Sequence, residues 1–571
     1  MSHLKPPETP RFGARRRQSV LRFSEPSPVF VDGARARLRA CIASYNAYDL
    51  ASAALLVMLA VLVFATYGAY AVSNDEPVQQ HYGELIIAYY ASGFTNQTLF
   101  HYENLYLYGG LFDVLAVLVQ HLIPFIDPYH LRHILCALIG VAGIGAAWST
   151  ARLVAGPRAA CIAAFALAAC GPWYGSMFNH TKDIPFAVAM MSATYFLLRA
   201  TRQLPHPCMR DVVWFGVLLG AALGIRVLGL LMVGYAGLAM LMQVARLHGG
   251  EIRDRLNLFA QSVVAMAPAF LIGYAIMLAA WPWSALAPLN PVRGLIDFGE
   301  FHYQIDTLLN GHVYEMDKVP RLYVPIYLLI KLPLLMMAGA ATALAFTLWR
   351  GGAVRGAGGK RMQTALLAFI AVFPVICEVV YHGPADTGLR HFLFVVPVFA
   401  VLAGIGFNAL LDVLDARRRA LALGAGFAIA ALLAWNAVIL VELHPYQYLY
   451  YNPLVGGLEG ASRRYVTDYW VNIMPEAVDD LEAYIATHDD PGHEYLVAVC
   501  GERLPFEREA GPRLQWTDDW NKADFFIAPT HMNCDRALNG KVIATISRLG
   551  APIGVVKNRR ALVHPNLARQ H

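Results

Sequence analysis

The chain consists of long apolar blocks separated by short loops that carry clusters of arginine and lysine, and this pattern constrains its fold more than any other feature. A block of about 20 apolar residues has the length that crosses a bilayer as a helix. Of the 571 residues, 57% are hydrophobic and 15% are charged, whereas soluble domains carry about 25% charged residues. The sequence therefore excludes a soluble enzyme, a disordered chain and a nucleic-acid-binding module. It predicts a polytopic α-helical membrane protein.

The basic loops predict the orientation of the helices, because loops rich in Arg and Lys stay on the cytoplasmic side. The clusters are Arg152 and Arg158; Arg199, Arg202 and Arg210; Arg246, Arg253 and Arg255; Arg350, Arg355, Lys360 and Arg361; and Arg417, Arg418 and Arg419. With all of them inside, we expect about 11 transmembrane helices, at 50–72, 131–151, 158–178, 184–200, 211–225, 228–246, 258–281, 322–348, 362–381, 390–411 and 419–441. The apolar stretch 105–126 would invert this topology if it crossed, so we interpret it as a helix on the outer face.

Three regions follow from this topology. Residues 1–49 form a polar, Arg-rich segment without an early apolar core, which predicts a disordered basic cytoplasmic tail rather than a signal peptide. Residues 50–442 form the transmembrane domain, with long outer loops at 73–130 and 282–321. An odd number of spans places residues 443–571 outside. There, strand-like runs and one helix-like run predict a small extracytoplasmic α/β domain; the runs are 495–500, 524–528, 541–546 and 553–556, and the helix-like run is 475–485.

Several polar residues of the outer side are open to two interpretations. Asp75 and Glu76 directly follow the first span and are either functional or part of a solvated loop in which Asp75 caps the next helix. Cys500 and Cys534 are either bridged or two free thiols. The loop 282–321 either closes over a ligand or forms an aromatic interfacial belt; its aromatic and polar residues include Phe298, Phe301, His302, Tyr303, Asn310, His312 and Tyr314.

Two cations lie in or near spans and require partners. They are Lys331 and Arg226, and Glu378 is one candidate partner. The histidines show no HxxxH or HxH cluster, so a divalent metal has no support in the sequence and the metal stays unknown; no cofactor is certain. It also shows no phosphate-binding glycine pattern of a nucleotide site.

Five segments in order along the chain carry a family resemblance. They are Asp75-Glu76 after the first span; His101-Tyr102-Glu103-Asn104; Asn179-His180-Thr181-Lys182-Asp183-Ile184-Pro185-Phe186; Leu389-Arg390-His391-Phe392-Leu393 with Pro397; and His444-Pro445-Tyr446 with Tyr450-Tyr451-Asn452. This set resembles the GT-C membrane glycosyltransferases, and among them the protein O-mannosyltransferases and lipid A aminoarabinose transferases. The resemblance covers roughly residues 50–470. No single motif is specific, and the order of the motifs on one face carries the likeness.

The resemblance implies an enzyme that moves a sugar from a polyprenyl-phosphate donor to a hydroxyl acceptor on the outer face, with inversion at the anomeric carbon. It implies a bacterial inner membrane with the N-terminus cytoplasmic and the C-terminal domain periplasmic. Asp75 and Glu76 would be the catalytic residues, with Asp75 as the base and Glu76, together with Glu103, orienting the sugar or the acceptor. Lys182, Arg390 and His391 would bind the donor phosphate. The sugar or acceptor would contact Glu103, Asp183, His180 and Tyr82.

The sequence departs from the family at one of these motifs. Asn104 stands where the family has a lysine that touches the donor phosphate, and the following proline is missing. In the aminoarabinose transferases the glutamate at the position of Glu103 helps to bind a metal. We expect Lys182 to replace the missing lysine, because it lies at a predicted helix start, and a helix N-terminus favours a phosphate.

Two other classes of protein remain as alternatives. A multi-span transporter or flippase for lipids or lipid-linked glycans also has many spans and buried charges, but no repeat of broken spans is visible. An O-antigen ligase or polymerase also combines many spans with one long outer loop. The Asp75-Glu76 pair favours the transferase over both. Membrane lipids and the lipid-linked sugar are the expected partners, without nucleic acid; the sequence identifies neither the sugar nor the acceptor.

Overall fold

Local sequence signals fix where the helices begin. Asp127 precedes a helix that starts at Pro128, and its carboxylate accepts the backbone N–H groups of Tyr129 at 3.0 Å and His130 at 3.2 Å. The computed structural model describes residues 46–246, 251–299, 305–349, 358–383, 385–488 and 492–564. The predicted tail therefore lies outside the described residues up to position 45.

The helices up to the end of the last predicted span are numbered consecutively in chain order. They are α1 Ala47–Thr66, α2 Glu76–Ala91, α3 Leu111–Leu122, α4 Pro128–Ala155, α5 Pro157–Ala168, α6 Gly171–Asn179, α7 Asp183–Thr201, α8 Met209–Leu223, α9 Leu231–Ala245, α10 Ile252–Ala280, α11 Pro282–Leu286, α12 Asn290–Gly299, α13 Tyr323–Lys331, α14 Leu334–Leu348, α15 Gly358–Tyr381, α16 Val396–Arg417 and α17 Arg419–Glu442. A short antiparallel hairpin, β1 Asp306–Leu309 and β2 His312–Glu315, lies between α12 and α13.

Each predicted span corresponds to a helix or to a bent pair of helices, and one of these helices is shorter than the length that crosses a membrane. Within the described residues, eight helices are long and apolar enough to cross a membrane, and ten do so if two bent pairs each count as one span. The pairs are α5 with α6, bent by 63°, and α13 with α14, bent by 111°. The remaining predicted span, 211–225, is the 15-residue helix α8. The prediction of a polytopic membrane protein is thus confirmed. The helices that meet the length criterion give eight to ten spans, whereas the sequence predicted about 11.

The apolar stretch 105–126 forms only the 12-residue helix α3. At 1.5 Å per residue such a helix is about 18 Å long, whereas the hydrocarbon core is about 30 Å thick. Because α3 is too short to cross, the structure agrees with its interpretation as a helix that does not span.

The C-terminal region contains the small mixed domain that the sequence predicts. Its elements are α18 Gly457–Ala461, α19 Met474–His488, β3 Tyr495–Val499, α20 Arg503–Glu509, β4 Leu514–Trp516, β5 Phe525–Pro529, β6 Lys541–Arg548, β7 Ala551–Asn558 and α21 Arg560–Val563. The strands form one sheet in the order β4-β3-β5-β7-β6. β3 pairs in parallel with β4 and β5, and β7 pairs antiparallel with β5 and β6. A disulfide joins Cys500 to Cys534, which decides between the two alternatives left by the sequence.

The segment after α17 packs closely against α6. A Cβ atom added to Gly175 would lie 2.1 Å from the backbone nitrogen of Tyr448, and one added to Gly171 would lie 2.3 Å from Cβ of Tyr450. Only glycine allows these two backbones to approach so closely. The contact brings the chain that leads into the C-terminal sheet region against α6.

Candidate active site

Four charged side chains from four separate segments form one connected chain. The guanidinium of Arg390 contacts the carboxylate of Asp75, and its Nε lies 3.1 Å from Oδ2 of Asp183. The other oxygen of Asp183 contacts the guanidinium of Arg226. Asp183 is 3% exposed and Arg390 is 13% exposed, while Asp75 is 39% exposed. Asp75 is thus the member of the chain that solvent or a ligand reaches most easily.

Each of these residues lies at the end of a helix. Asp75 directly precedes α2, and Asp183 is the first residue of α7. Arg390 opens the 3₁₀ turn that leads into α16, and Arg226 follows α8. Polar residues are expected at such ends, because the backbone groups of a terminal turn lack intrahelical partners. The fold brings these ends together at one place.

The C-terminal segment adds two aromatic residues that the sequence analysis did not assign to the site. The indole of Trp470 lies beneath the guanidinium of Arg390, with 4.3 Å between Cζ and the ring centre. Nε1 of Trp470 donates to Nε2 of His180 at 3.1 Å, and the hydroxyl of Tyr469 lies 2.5 Å from the same nitrogen. Burial lowers the pKa of His180 to about 3. His180 is therefore neutral near pH 7, with Nδ1 carrying its proton toward Oδ1 of Asn179.

A buried carboxylate shapes the turn that presents these aromatic residues. Asp468 accepts hydrogen bonds from the backbone N–H groups of Asn472 at 2.8 Å and Ile473 at 3.1 Å, and from the hydroxyl of Tyr448. Burial raises the pKa of Asp468 to about 6, and the three hydrogen bonds offset this only in part. Asp468 therefore positions Tyr469 and Trp470, and it forms no ion pair with Arg390 or Arg226.

Lys182, the predicted phosphate ligand, lies one residue before α7 and is buried. Its Nζ lies 4.5 Å from the ring centre of Tyr108 and 5.9 Å from that of Tyr82. Burial lowers the pKa of Lys182 to about 8, so that the ammonium form predominates at neutral pH. Tyr82 is fully buried, and its hydroxyl donates to the carbonyl oxygen of Tyr108 at 3.0 Å.

The remaining predicted residues have other surroundings. Glu76 is fully buried, accepts the backbone N–H of Ser73 at 2.7 Å, and lies 3.1 Å from Nε2 of His133. Glu103 is exposed, in a left-handed backbone conformation. Nδ1 of His391 lies 3.5 Å from Oδ1 of Asp386. Within the described parts of the chain, no three His, Cys, Asp or Glu side chains converge as metal ligands, so we derive no step that uses a metal.

A small cavity of about 20 Å³, which has room for about one water molecule, lies beside Arg390. Its polar lining includes Lys331, which the sequence marked only as a cation in need of a partner. The other lining residues are Pro172, Ser176, Thr387, Gly388, Leu389, Arg390, Leu393, Tyr448, Val466 and Tyr469. Glu378 is not the partner of Lys331: Nζ donates to the carbonyl oxygen of Tyr448 at 3.0 Å.

The predicted outer loop 282–321 is described only in part. Phe301, His302 and Tyr303 lie outside the described residues. Its hairpin is held to α13, because the hydroxyl of Tyr327 donates to the carbonyl oxygen of Leu308 at 2.5 Å. Closure of this loop over a sugar stays a prediction.

Comparison with known proteins supports the resemblance seen in the motifs. Residues 131–283 match the family model of dolichyl-phosphate-mannose-protein mannosyltransferases. No curated protein matches the sequence. Among solved structures, ArnT from Cupriavidus metallidurans bound to undecaprenyl phosphate is 17% identical, with 88% of this chain and 97% of that chain covered and a TM-score of 0.46. The Archaeoglobus fulgidus oligosaccharyltransferase AglB with an inhibitory peptide and a dolichol-phosphate is 14% identical, with 84% and 69% covered and a TM-score of 0.44.

The family match includes α4, α7 and the ends that carry Asp183 and Arg226. Over residues 131–283, the match confirms the resemblance to the protein mannosyltransferases that the motifs carry. The sugar, the acceptor and the roles of individual residues are left to the proposals below.

Proposed function

We propose that the protein transfers a sugar from a polyprenyl-phosphate donor to a hydroxyl acceptor on the outer face of a bacterial inner membrane, with inversion at the anomeric carbon. The family match supports the class of reaction. The observation that carries the assignment of the site is that Arg390 joins Asp75 to Asp183. Three segments spread over more than 300 residues of sequence thus meet at one charged cluster, next to a cavity.

The reaction needs a base that takes the proton of the acceptor hydroxyl. Asp75 fits this role, because its carboxylate is the most exposed acid of the cluster and is held in place by Arg390. The acceptor oxygen attacks the anomeric carbon from the side opposite the phosphate. No covalent sugar–enzyme intermediate is then required, and Glu76 is not needed as a second catalytic carboxylate at the reacting carbon.

The reaction also needs cations for the phosphate that leaves. Arg390 lies in the cavity wall, and its planar guanidinium suits phosphate oxygens. Lys182 and His391 lie on neighbouring segments and complete the predicted phosphate-binding set. Asp183 holds Arg390 and Arg226 and so orients the cations. Contacts of the sugar or acceptor with Glu103, His180 and Tyr82 remain predictions.

The test is sugar transfer from radiolabelled polyprenyl-phosphate sugars by the purified protein in lipid vesicles. Asp75→Asn keeps the shape of the side chain and removes the base. Glu84→Gln is the matched control, because Glu84 is a half-exposed acid on α2, the helix that Asp75 precedes, and its partners are His81 and Gln80. We expect turnover by the wild type and by Glu84→Gln, and a loss of about 100-fold or more in Asp75→Asn.

Two other results would contradict parts of the proposal. Turnover that Asp75→Asn leaves unchanged would keep the transferase and remove Asp75 as the base. Absence of turnover with every donor and acceptor, together with lipid scrambling in the same vesicles, would favour the flippase alternative.

A further inference from the structure

Lys331 is a buried cation that the proposed mechanism does not yet use. It is the last residue of α13, at the break before α14, and is 6% exposed. Its Nζ donates one hydrogen bond, to the carbonyl oxygen of Tyr448, and lies 3.8 Å from the ring centre of Tyr451. An ammonium has three N–H donors. Within the described parts of the chain, Lys331 forms no ion pair with a carboxylate.

Burying an ammonium without a counter-charge is costly, because its hydration is lost. The negative end of α13 and the ring of Tyr451 offset part of this cost. Neither supplies a full negative charge. A buried polar group that no neighbouring carboxylate neutralises, in a cavity wall, is the arrangement expected of a residue that meets an anionic ligand.

We propose that Lys331 binds the phosphate of the lipid-linked donor, together with Arg390, at the wall of the small cavity that both residues line. This assignment rests on the proposed transferase function. During transfer, the bond between the anomeric carbon and the phosphate oxygen breaks, a bond from the acceptor oxygen to that carbon forms, and the acceptor proton passes to Asp75. The leaving phosphate keeps the bonding electrons and changes from a monoanion to a dianion. Lys331 meets the charge that develops.

The assignment predicts that the lipid product binds through Lys331. The probe is undecaprenyl phosphate, with undecaprenol and phosphatidylglycerol as comparison lipids, and binding is measured on the full-length protein in detergent. Lys331→Met fills the same space without charge, and Lys331→Arg keeps the charge. Lys318→Met is the control, because Lys318 is 64% exposed and pairs with Glu315 on the outer loop.

We expect Lys331→Met to weaken the binding of undecaprenyl phosphate by about 10- to 100-fold, the range of one hydrogen bond to a charged group. Binding of undecaprenol should stay unchanged, Lys331→Arg should retain most of the affinity, and Lys318→Met should match the wild type. The melting temperature of Lys331→Met should not fall, because Met is a tolerated core residue. In turnover, Lys331→Met should lower kcat more than it raises KM, since the charge is largest on the leaving phosphate.

Three results would overturn the assignment. Equal affinity of Lys331→Met and wild type for undecaprenyl phosphate would remove the phosphate contact. Equal losses for undecaprenyl phosphate and undecaprenol, with a lower melting temperature, would make Lys331 a structural tether of Tyr448. Competition by phosphatidylglycerol as strong as that of undecaprenyl phosphate would identify a general lipid headgroup instead of the donor.

Failure of the transferase proposal gives a different signature. The wild type would then not distinguish undecaprenyl phosphate from undecaprenol. In that case the melting temperature is measured with added inorganic phosphate. A rise in the wild type that is absent in Lys331→Met would keep an anion site at Lys331, and no rise in either would overturn it.

Discussion

Asp75 and Glu76 are neighbours in the sequence, yet they enter two polar clusters of different kinds. The carboxylate of Asp75 is 39% exposed and contacts Arg390, which lies in a cavity wall. The carboxylate of Glu76 is fully buried, between the backbone of Ser73 and the imidazole of His133. We therefore expect the two carboxylates to act separately. Exposure and the partner of each carboxylate, rather than their adjacency, separate a candidate base from a residue of the framework.

The cluster on the Glu76 side extends into a buried network between α2, α3 and α4. Arg132 and Asp113 are each 1% exposed and lie 2.7 Å apart. Arg132 also donates to the side-chain oxygens of Gln79 and Gln80, both at 3.3 Å. Its ion pair is closed off from solvent, whereas the cluster on the Asp75 side is partly exposed and adjoins a small cavity. The first is expected to hold the helices together, and the second to bind a ligand.

The largest expected effect separates the two neighbouring acids. Asp75→Asn should lower kcat by about 10²- to 10⁴-fold, because the base is lost, with little change in melting temperature. Glu76→Gln should lower the melting temperature, while turnover per folded molecule stays within about tenfold of the wild type. Both variants are compared by single-turnover sugar transfer and by thermal unfolding in detergent. A larger kinetic loss in Glu76→Gln than in Asp75→Asn would reverse the assignment.

Removal of a charge from the buried cluster of Arg132 and Asp113 should lower the stability of the protein. Arg132→Met leaves the carboxylate of Asp113 buried without its cation, so we expect the free energy of unfolding to fall by about 3–5 kcal/mol. Arg503→Met is the control: Arg503 is 62% exposed, pairs with Glu507, and should contribute about 0–1 kcal/mol. Unfolding by denaturant in detergent measures both. A stable Arg132→Met protein that has lost turnover would place this cluster in the site.

The pH dependence of stability tests the burial of Asp468, which holds the turn that carries Tyr469 and Trp470. Its pKa is raised from an ordinary 3.8 to about 6 in the folded protein. Between pH 4 and 6 the folded state therefore binds more protons at this group than the unfolded state. Its contribution makes stability fall as pH rises through that window, by about 3 kcal/mol in total. Asp468→Asn should remove this part of the pH dependence.

The measurement is the melting temperature at several pH values between 4 and 7, for the wild type and Asp468→Asn. Asp479→Asn serves as the control, since Asp479 is an exposed acid on α19 of the same domain. The difference between Asp468→Asn and wild type should grow as pH rises, whereas Asp479→Asn should run parallel to the wild type. Parallel curves for all three proteins would contradict the burial argument for Asp468.

The sequence predicted the parts of this architecture that depend on local patterns. The apolar blocks gave the helices, and alternating runs gave β3, β5, β6 and β7, because length and periodicity are local properties. The sequence also placed Asp75, Asp183 and Arg390 on one face, and the structure joins them. It did not predict that Trp470 lies under Arg390, because that contact depends on how the segment after α17 packs against α6. Burial, which distinguishes Glu76 from Asp75, is likewise a tertiary property.

The smallest expected effect tests whether this C-terminal segment completes the site. Trp470→Leu removes the ring beneath Arg390, an interaction of about 0.5–2 kcal/mol, so kcat/KM should fall by about 2- to 30-fold. Trp470→Phe should lose less, because it keeps an aromatic face. Trp516→Leu is the matched control, since Arg503 lies 5.1 Å from the ring centre of Trp516, in the domain and away from the cluster. Loss of sugar transfer in Trp470→Leu but not in Trp516→Leu, at equal melting temperature, would show that the C-terminal segment contributes to the site by orienting Arg390. Equal activity in both would confine the site to the transmembrane helices and leave the contact with Trp470 a matter of packing.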